Sequence, residues 1–413
     1  MQFIADFHIH SKYSIATGRE MDIPHIARSA AMKGIALVGT GDFTHPEWMK
    51  ELRRDLEPAD NDLSVHGSTH FILTTEVNNT YRQGGRARRI HNNIFAPSLE
   101  VVEKITRGLA PYGKLASDGR PTLSISSQDL VKLVFDASDR AFVVPSHIWT
   151  PWFSLYGSNS GFDRIEECFG PQVEHIFSLE TGLSSDPAMN WRISALDSYT
   201  LMSNSDAHSP TKLGREANVF DCELSYDAIR EVLKTKDASR FLYTIEFFPQ
   251  EGKYHYDGHR KCNARVSPRD AMLNNDLCPI CGTGLTVGVL HRVETLADRA
   301  AGYVPEGAIP FRSLIPLEEI LGESLGVGVG TVKVAREYER LIGEFGTEFS
   351  VLLDVDRADI ERVSTPRVAE AIARVRSGDV EVLPGYDGVF GEIRIFPDGE
   401  AAEKEPEDQM ALF

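Results

Sequence analysis

His8 and His10 stand two residues apart at the end of an apolar run, QFIADFHIH, in a chain of 413 residues. On a strand, positions i and i+2 share a face, so both imidazoles can address one metal centre. Later segments repeat the feature. Asp42 and His45 lie in GTGDFTH, Glu76 in LTTEV, His91 in RRIHNN, His147 in VPSH, and Asp206 with His208 in SNSDAH. Buried Asp and Glu are rare without a partner or a metal. Mixed His and carboxylate ligation suits Zn, Mn or Fe, whereas an all-oxygen cage suits Mg or Ca. More ligands than one ion can use implies two or three divalent ions. Ions about 3.5–4 Å apart serve in-line phosphoryl chemistry, creating a nucleophile from water and stabilising the leaving oxygen.

A second constellation, His259, Cys262, Cys278 and Cys281, has the form HxxC-x15-CxxC. Two ligand pairs separated by about 15 residues match a closed structural zinc site. Cys278 and Cys281 alone also fit a redox pair, but no βαβ context surrounds them. Lys253, Arg260, Lys261, Arg265 and Arg269 face the single acid Asp257 across 253–269. The module is therefore locally basic, either as a solvated surface or as a face for phosphates.

The elements that must position these groups follow from the apolar pattern. Residues 1–235 alternate short apolar strands with helices, each strand ending in His, Asp or Glu, as expected of an α/β fold with its site at strand C-termini. MDIPHIARSAAMKG reads as a helix with Pro24 in its first turn and Gly34 at its stop. Residues 236–300 form the zinc-binding module. Residues 301–398 are helical, with LPGYDGVFGEIRIF as a hairpin turning at Asp387-Gly388. The acidic stretch 399–413 is expected to be disordered as far as Gln409. Arg82, Arg86, Arg88 and Arg89 lie in a Gly-rich, acid-free segment that reads as a basic loop beside His91, suited to a phosphate backbone. Trp149 and Trp152, just after His147, either pack the fold or stack on a base.

Net charge is −18, with 43 basic and 61 acidic residues, which argues against tight non-specific DNA binding. It does not exclude DNA, because the cations cluster and part of the acid excess lies in the tail. The sequence shows no membrane-spanning apolar run and no signal peptide, so a cytoplasmic protein is expected.

The HxH start, Glu76, the isolated later histidines and the closing SDAH resemble the PHP (polymerase and histidinol phosphatase) domain. That resemblance implies a distorted (β/α)7 barrel with a multinuclear metal site that hydrolyses phosphoesters. It carries metal binding onto His8, His10, Glu76, His91, His147, Asp206 and His208. Thr40-Gly41-Asp42 stands where that family commonly has Thr-Asp-His, which makes Asp42 a metal-ligand candidate and His45 its rival. The order GTGDFTHP, HRKC…CPICG, LTVGVLHRVETLADR resembles the endonuclease Q family over nearly the whole chain.

This second resemblance implies a DNA repair endonuclease that cuts 5′ to uracil, hypoxanthine, xanthine or an abasic site. It would use two or three ions (Zn, Mn, Mg or Fe) in the first domain and one structural Zn. His8, His10, Asp206 and His208 are the expected catalytic residues. Arg82, Arg86, Arg88, Arg89, Arg260, Lys261 and Arg265 are expected on DNA, and Trp149, Trp152 and Glu180 at a lesion pocket. Segments 326–335 and 363–378 resemble helix-hairpin-helix elements. The terminal QMALF resembles a bacterial sliding-clamp motif, with Gln409, Leu412 and Phe413 as its anchors, and implies a nucleoid-associated protein. The rival readings are a PHP-type phosphatase on a small phosphomonoester and a non-catalytic, clamp-bound lesion sensor.

Overall fold

The structure, a computed structural model, describes residues 1–59 and 61–397. They form two compact units: Met1–Arg312 with Leu383–Glu392, and Ser313–Val382 with the segment starting at Ile393. Among the described residues no helix is long and apolar enough to cross a membrane.

The first unit is mixed α/β. Its strands begin with β1 (Gln2–Asp6), β2 (Leu37–Gly39), β3 (Glu57–Pro58), β4 (Ser64–His66), β5 (Thr69–Gln83), β6 (Arg86–Ala96) and β7 (Thr122–Leu123). They continue with β8 (Phe142–Pro145), β9 (Ser178–Glu180), β10 (Thr200–Met202), β11 (Ala217–Asp221), β12 (Phe241–Glu246), β13 (Asp257–His259) and β14 (Ala264–Val266). β1 lies between β2, parallel to it with Ala5 opposite Leu37, and β11, antiparallel with Ile4 opposite Val219. β2 pairs parallel with β5, and β9 with β10. These parallel runs accord with the strand–helix alternation of the sequence. β11, β12 and the β5–β6 hairpin bring antiparallel pairing into the same unit.

Period-two alternation on β1 puts Phe3 and Ala5 into the core, with Phe7 beyond them, where they join Leu37, Ile72, Phe95, Phe142, Phe220 and Phe241. Burying each of the larger side chains contributes roughly 1.5–3 kcal/mol. The first helix, Ile23–Lys33, forms as its sequence dictates. The Asp22 carboxylate accepts from His25 N–H, and Gly34, at φ 88°, ends it.

The arginine-rich segment is not a loop. β5 and β6 pair over eleven residue pairs, from Leu73–Ala96 to Gln83–Arg86, and Gly84 (φ 59°) and Gly85 (φ 75°) make the two-residue turn. Such a turn needs positive φ at both central positions, and a glycine pair supplies it. The arginines therefore stand on a rigid hairpin.

The second unit is built from helices Leu317–Ser324, Val332–Phe345, Glu348–Leu353, Arg357–Val363 and Pro366–Ser377. Thr331, Thr347 and Thr365 cap three of them through their side chains. A hairpin pairs Glu381–Leu383 with Glu392–Arg394, with Asp387 (φ 40°) and Gly388 (φ 83°) in its connection.

Candidate metal centre

Glu76 sits on β5 one diagonal step from His91 on β6, since Asn78 is the residue opposite His91. Its two oxygens face different partners. Oε1 lies 2.9 Å from His91 Nδ1 and 3.1 Å from His147 Nε2. Oε2 lies 3.4 Å from His8 Nε2 and 3.3 Å from His10 Nε2. Asp206 completes the second set, its Oδ1 3.0 Å from His10 Nε2 and 3.7 Å from His8 Nε2. Within each set, His8–His10–Glu76–Asp206 and Glu76–His91–His147, the ligand atoms lie within 4.8 Å of one another.

Whether ions fit is decided by what these atoms lack. His8 Nε2, His10 Nε2 and Asp206 Oδ1 are buried and face one another across 3.0–3.7 Å without a hydrogen bond. Three buried polar atoms converging on one point without a hydrogen bond are costly unless a proton or a cation is shared among them. Burial pushes His91 down to about 4, a neutral imidazole ready to ligate. His8 and His10 behave oppositely. Burial alone would lower them, but Glu180 and Glu76 around His8, and Asp42 and Asp206 around His10, hold them well above the usual range. Protons and ions therefore compete for the same nitrogens, and metal binding releases protons.

An outer layer fixes the ligands. Glu180 lies 3.0 Å from His8 Nδ1 with each oxygen, and accepts from His147 N–H at 2.8 Å and Asn204 Nδ2 at 2.8 Å. Asp42 Oδ1 lies 3.0 Å from His10 Nδ1, while Oδ2 accepts from Ser11 N–H and Ser11 Oγ, both at 2.6 Å. Carboxylates on the far ring nitrogens set the tautomer that turns both Nε2 atoms toward the cluster. Asp6 accepts from Ser205 N–H and Gly214 N–H, which anchors the loop carrying Asp206 and His208 to β1. Asp42 (φ 50°), His147 (φ 30°) and Asp206 (φ 47°) take left-handed backbone conformations. Three non-glycine residues in that region, all at one site, mark local strain held by the surrounding bonds.

Several expected placements are corrected. Asp42 holds a ligand rather than acting as one, because both its oxygens are spent on His10, Ser11 and Ser14. Gly41 makes this possible, since at φ 60° a Cβ there would meet Ile9 O at 2.3 Å. His45 is outside the cluster, stacked on Tyr13 at 4.5 Å and 3.3 Å from Ala116 O. Glu180 is no pocket wall but the orienting acid just described. Trp149 is buried, donates to Asn190 Oδ1 and stacks on Tyr156, so it packs the fold. Arg88 is turned inward, bonded to Gly161 O with its guanidinium 3.9 Å from the Phe162 ring centre.

Other residues stand at the margin. His208 lies beside the cluster with its ring 4.6 Å from His10, its side chain 31% exposed. Arg82, Arg86 and Arg89 are exposed on the hairpin. Trp152 is exposed and lines a cavity of about 420 Å³ with Phe153, Lys253, Tyr254, His255 and Phe390. Phe153 packs 5.0 Å from His91, so this cavity adjoins the metal centre. Arg120 escaped the sequence reading although it donates to Glu76 Oε2 at 3.1 Å. Its only trace was the turn DGRP, where Gly119 passes so close that a Cβ would lie 2.2 Å from Asp42 Oδ2.

In the lobe expected to bind zinc, one candidate ligand atom each from His259, Cys262, Cys278 and Cys281 lie within 4.8 Å of one another. Asn263 (φ 50°) and Gly282 (φ 72°) each follow a cysteine and turn the chain back. A hydrogen bond from Thr283 pulls the Cys281 thiol down to about 6, so a thiolate is available near neutrality. Arg260, Lys261 and Arg265 are exposed around it. Gln409, Leu412 and Phe413 lie outside the described residues.

What the larger site offers is seats for hard or borderline cations on strand ends, reached from a cavity: the equipment of a metal-dependent hydrolase. The lesion-specific endonuclease PfuEndoQ from Pyrococcus furiosus superposes with a TM-score of 0.87 at 33% identity, over 96% of each chain. An Endonuclease Q structure, in complex with a 27-mer duplex carrying an abasic lesion at its active site, gives 0.85 at 34% identity, over 96% of this chain and 97% of that one. Residues 316–379 match the family model of the MJ0043 C-terminal domain. The Methanocaldococcus jannaschii protein MJ0043 is 35% identical over 256 residues, 60% of this chain but 31% of that protein. The chain thus spans about a third of that relative's length. It belongs to the endonuclease Q family.

Proposed function

We propose that this chain nicks DNA on the 5′ side of deaminated bases (uracil, hypoxanthine, xanthine) and abasic sites, leaving a 3′-hydroxyl and a 5′-phosphate. It is a metal-dependent endodeoxyribonuclease by family, and the reading extends that to lesion and polarity of cut. The observation that carries it is the whole-length correspondence with two endonuclease Q structures, joined to a metal centre that opens on an aromatic cavity. The parallel β1–β2–β5 and β9–β10 runs support reading this unit as a distorted (β/α)7 barrel.

When bound, two or three divalent ions would supply Lewis acidity to the scissile phosphate and lower the pKa of a water molecule. His8, His10, Glu76, His91, His147 and Asp206 would hold them. Arg120, on the bridging Glu76 and 26% exposed, is positioned to receive a phosphate oxygen through its planar fork. Attack by the water oxygen on phosphorus breaks the P–O3′ bond, and the proton the 3′-oxygen needs comes through His208, the most exposed imidazole of the site. Asp42 and Glu180 move no proton; they keep the His10 and His8 rings from turning.

The lesion is extruded into the cavity lined by Trp152 and Tyr254, whose rings meet edge-on at 5.6 Å. Aromatic walls accept any base by stacking and accept an abasic sugar without one. Arg82, Arg86 and Arg89 along the hairpin, and Arg260, Lys261 and Arg265 on the zinc lobe, would follow the phosphates. The zinc itself is structural. QMALF would tether the chain to a bacterial sliding clamp and so raise its effective concentration on nucleoid DNA.

Labelled duplexes with one uracil, hypoxanthine or abasic site, incubated with Mn or Mg, test the reading. Single nicks 5′ to the lesion, without base release, are expected. Asp206→Asn and His8→Ala should each lower the rate by at least about a hundredfold. Full nicking by either variant would overturn the mechanism. Turnover of a phosphomonoester alone would favour the phosphatase.

A further inference from the structure

Ile15, 69% exposed, stands in the loop that follows His8 and His10. A lone exposed isoleucine is ordinary on a protein surface, but the frame around this one is not. Ser14, the residue before it, places Oγ 3.2 Å from His10 Nδ1 and donates to Asp42 Oδ2 at 3.0 Å. Ile15 N–H donates to Asp118 Oδ1 at 3.2 Å, and the same oxygen accepts from Arg120 N–H at 3.2 Å. Gly119 N–H donates to Tyr13 O at 3.0 Å, and Gly18 N–H to His208 O at 2.8 Å. Ala16 holds a left-handed φ of 64° without being glycine. The loop is thus stitched to the segments that carry His10, Arg120 and His208, with its apolar side chain turned to solvent.

The two ends of the metal centre have different neighbours. Beside His91 lies Phe153, and with it the cavity. Beside His10 lie Ser14 and the ring of His208. A strand with its extruded nucleotide in the cavity and its scissile phosphate over the ions therefore leads its next nucleotide, on the 5′ side, toward His208 and Ile15. That nucleotide owns the 3′-oxygen that leaves. Charge does not select this contact. Lys12 pairs with Glu51 at 2.9 Å, Asp118 spends Oδ1 on two N–H groups, and Arg19 and Glu20 are exposed side by side. What Ile15 offers is apolar surface, which suits the sugar and base of a nucleotide rather than its phosphate.

We infer that Ile15 seats the nucleotide on the 5′ side of the cut, packing against its sugar and base and so fixing the leaving 3′-oxygen beside His208. This rests on the lesion-extruding reading above.

The test uses the full chain with Ile15→Cys and duplexes that carry one abasic site and one base bearing a tethered mixed disulfide, placed immediately 5′ or 3′ of the lesion. With binding saturated and divalent ions withheld, cross-linking to the 5′ neighbour should exceed that to the 3′ neighbour at least about tenfold. The wild-type chain sets the background of its own cysteines. Equal capture of both neighbours, preference for the 3′ one, or no capture above background would overturn the seat. Ile15→Ala should lower kcat/KM for nicking about tenfold with metal content and Tm unchanged, and Ile15→Leu should recover most of the loss. A wild-type kcat/KM in Ile15→Ala would overturn it as well. If the 5′ neighbour is captured but the wild type nicks no lesion, the seat stands and the endonuclease reading fails.

Discussion

The carboxylates that make this metal centre differ in what each oxygen is free to do. Glu76 divides its oxygens between two histidine sets, and Asp206 turns Oδ1 toward His8 and His10. Asp42 and Glu180 spend theirs on Nδ1 atoms and backbone N–H groups. Replacing Asp42 by Asn removes a charge-assisted bond to His10 and lets the ring adopt either tautomer. Metal affinity measured by titration should fall about 10- to 100-fold with the fold intact. An unchanged affinity would show that Asp42 does not orient His10.

A second acidic pair lies deeper. Thr181 Oγ1 is 3.0 Å from Met202 O and 3.1 Å from Glu246 Oε2. Burial, reinforced for Glu216 by the neighbouring Glu246, pushes both carboxyls well above their usual range. In the unfolded chain each would ionise near about 4.3. The folded state thus binds more protons above that pH, and stability falls as pH rises. Glu216→Gln removes the penalty, so its Tm should gain on the wild type more at about pH 8 than at about pH 5. A gain independent of pH would contradict this.

At the level of side chains, residue type and strand-end position were enough to single out His8, His10, Glu76, His91, His147 and Asp206, which the fold gathers into two adjoining clusters. The orienting role of Glu180 was not legible, because its partner His8 is 172 residues away. Nor was Arg120, which carries no motif and is defined only by where its loop folds.

Among the elements, the β5–β6 hairpin shows how composition can mislead. Arginines and two glycines suggested a mobile loop, yet a glycine pair between two long runs is also the turn of a hairpin. The flanking residues pair in register right up to Gln83 and Arg86. The clustering of His259, Cys262, Cys278 and Cys281 was legible for the opposite reason, since ligand spacing survives any folding of the intervening chain. The order of this lobe should depend on the ion. Cys278→Ser should release about one zinc per chain and speed amide exchange across 257–285, leaving β1 and β5 protected. Uniform acceleration would mean the lobe is not a separate cooperative element.

Taken whole, the molecule reconciles a net charge of −18 with DNA by distribution. Residues 398–408 hold six acids and one lysine, and the cations stand on the hairpin and the zinc lobe. Alternation and helix caps made the α/β order of the first half and the helices of 317–377 legible. Which strands would pair antiparallel was not, since pairing partners lie far apart in sequence. Removing residues 409–413 should abolish capture by an immobilised bacterial sliding clamp and any stimulation of nicking by it. Capture that persists would place the tether elsewhere.

The central position of β1 bears on when the molecule becomes dangerous to DNA. Its partners are β2, 32 residues on at Ala5–Leu37, and β11, 215 residues on at Ile4–Val219. By the (3/2)RT ln n scaling, closing the longer loop costs about 1.7 kcal/mol more than the shorter. Asp6 meets Ser205 and Gly214 only after that closure. During synthesis His8 and His10 would wait, unpaired with Asp206, until more than two hundred residues have emerged. The metal centre would thus close only once β11 has joined β1.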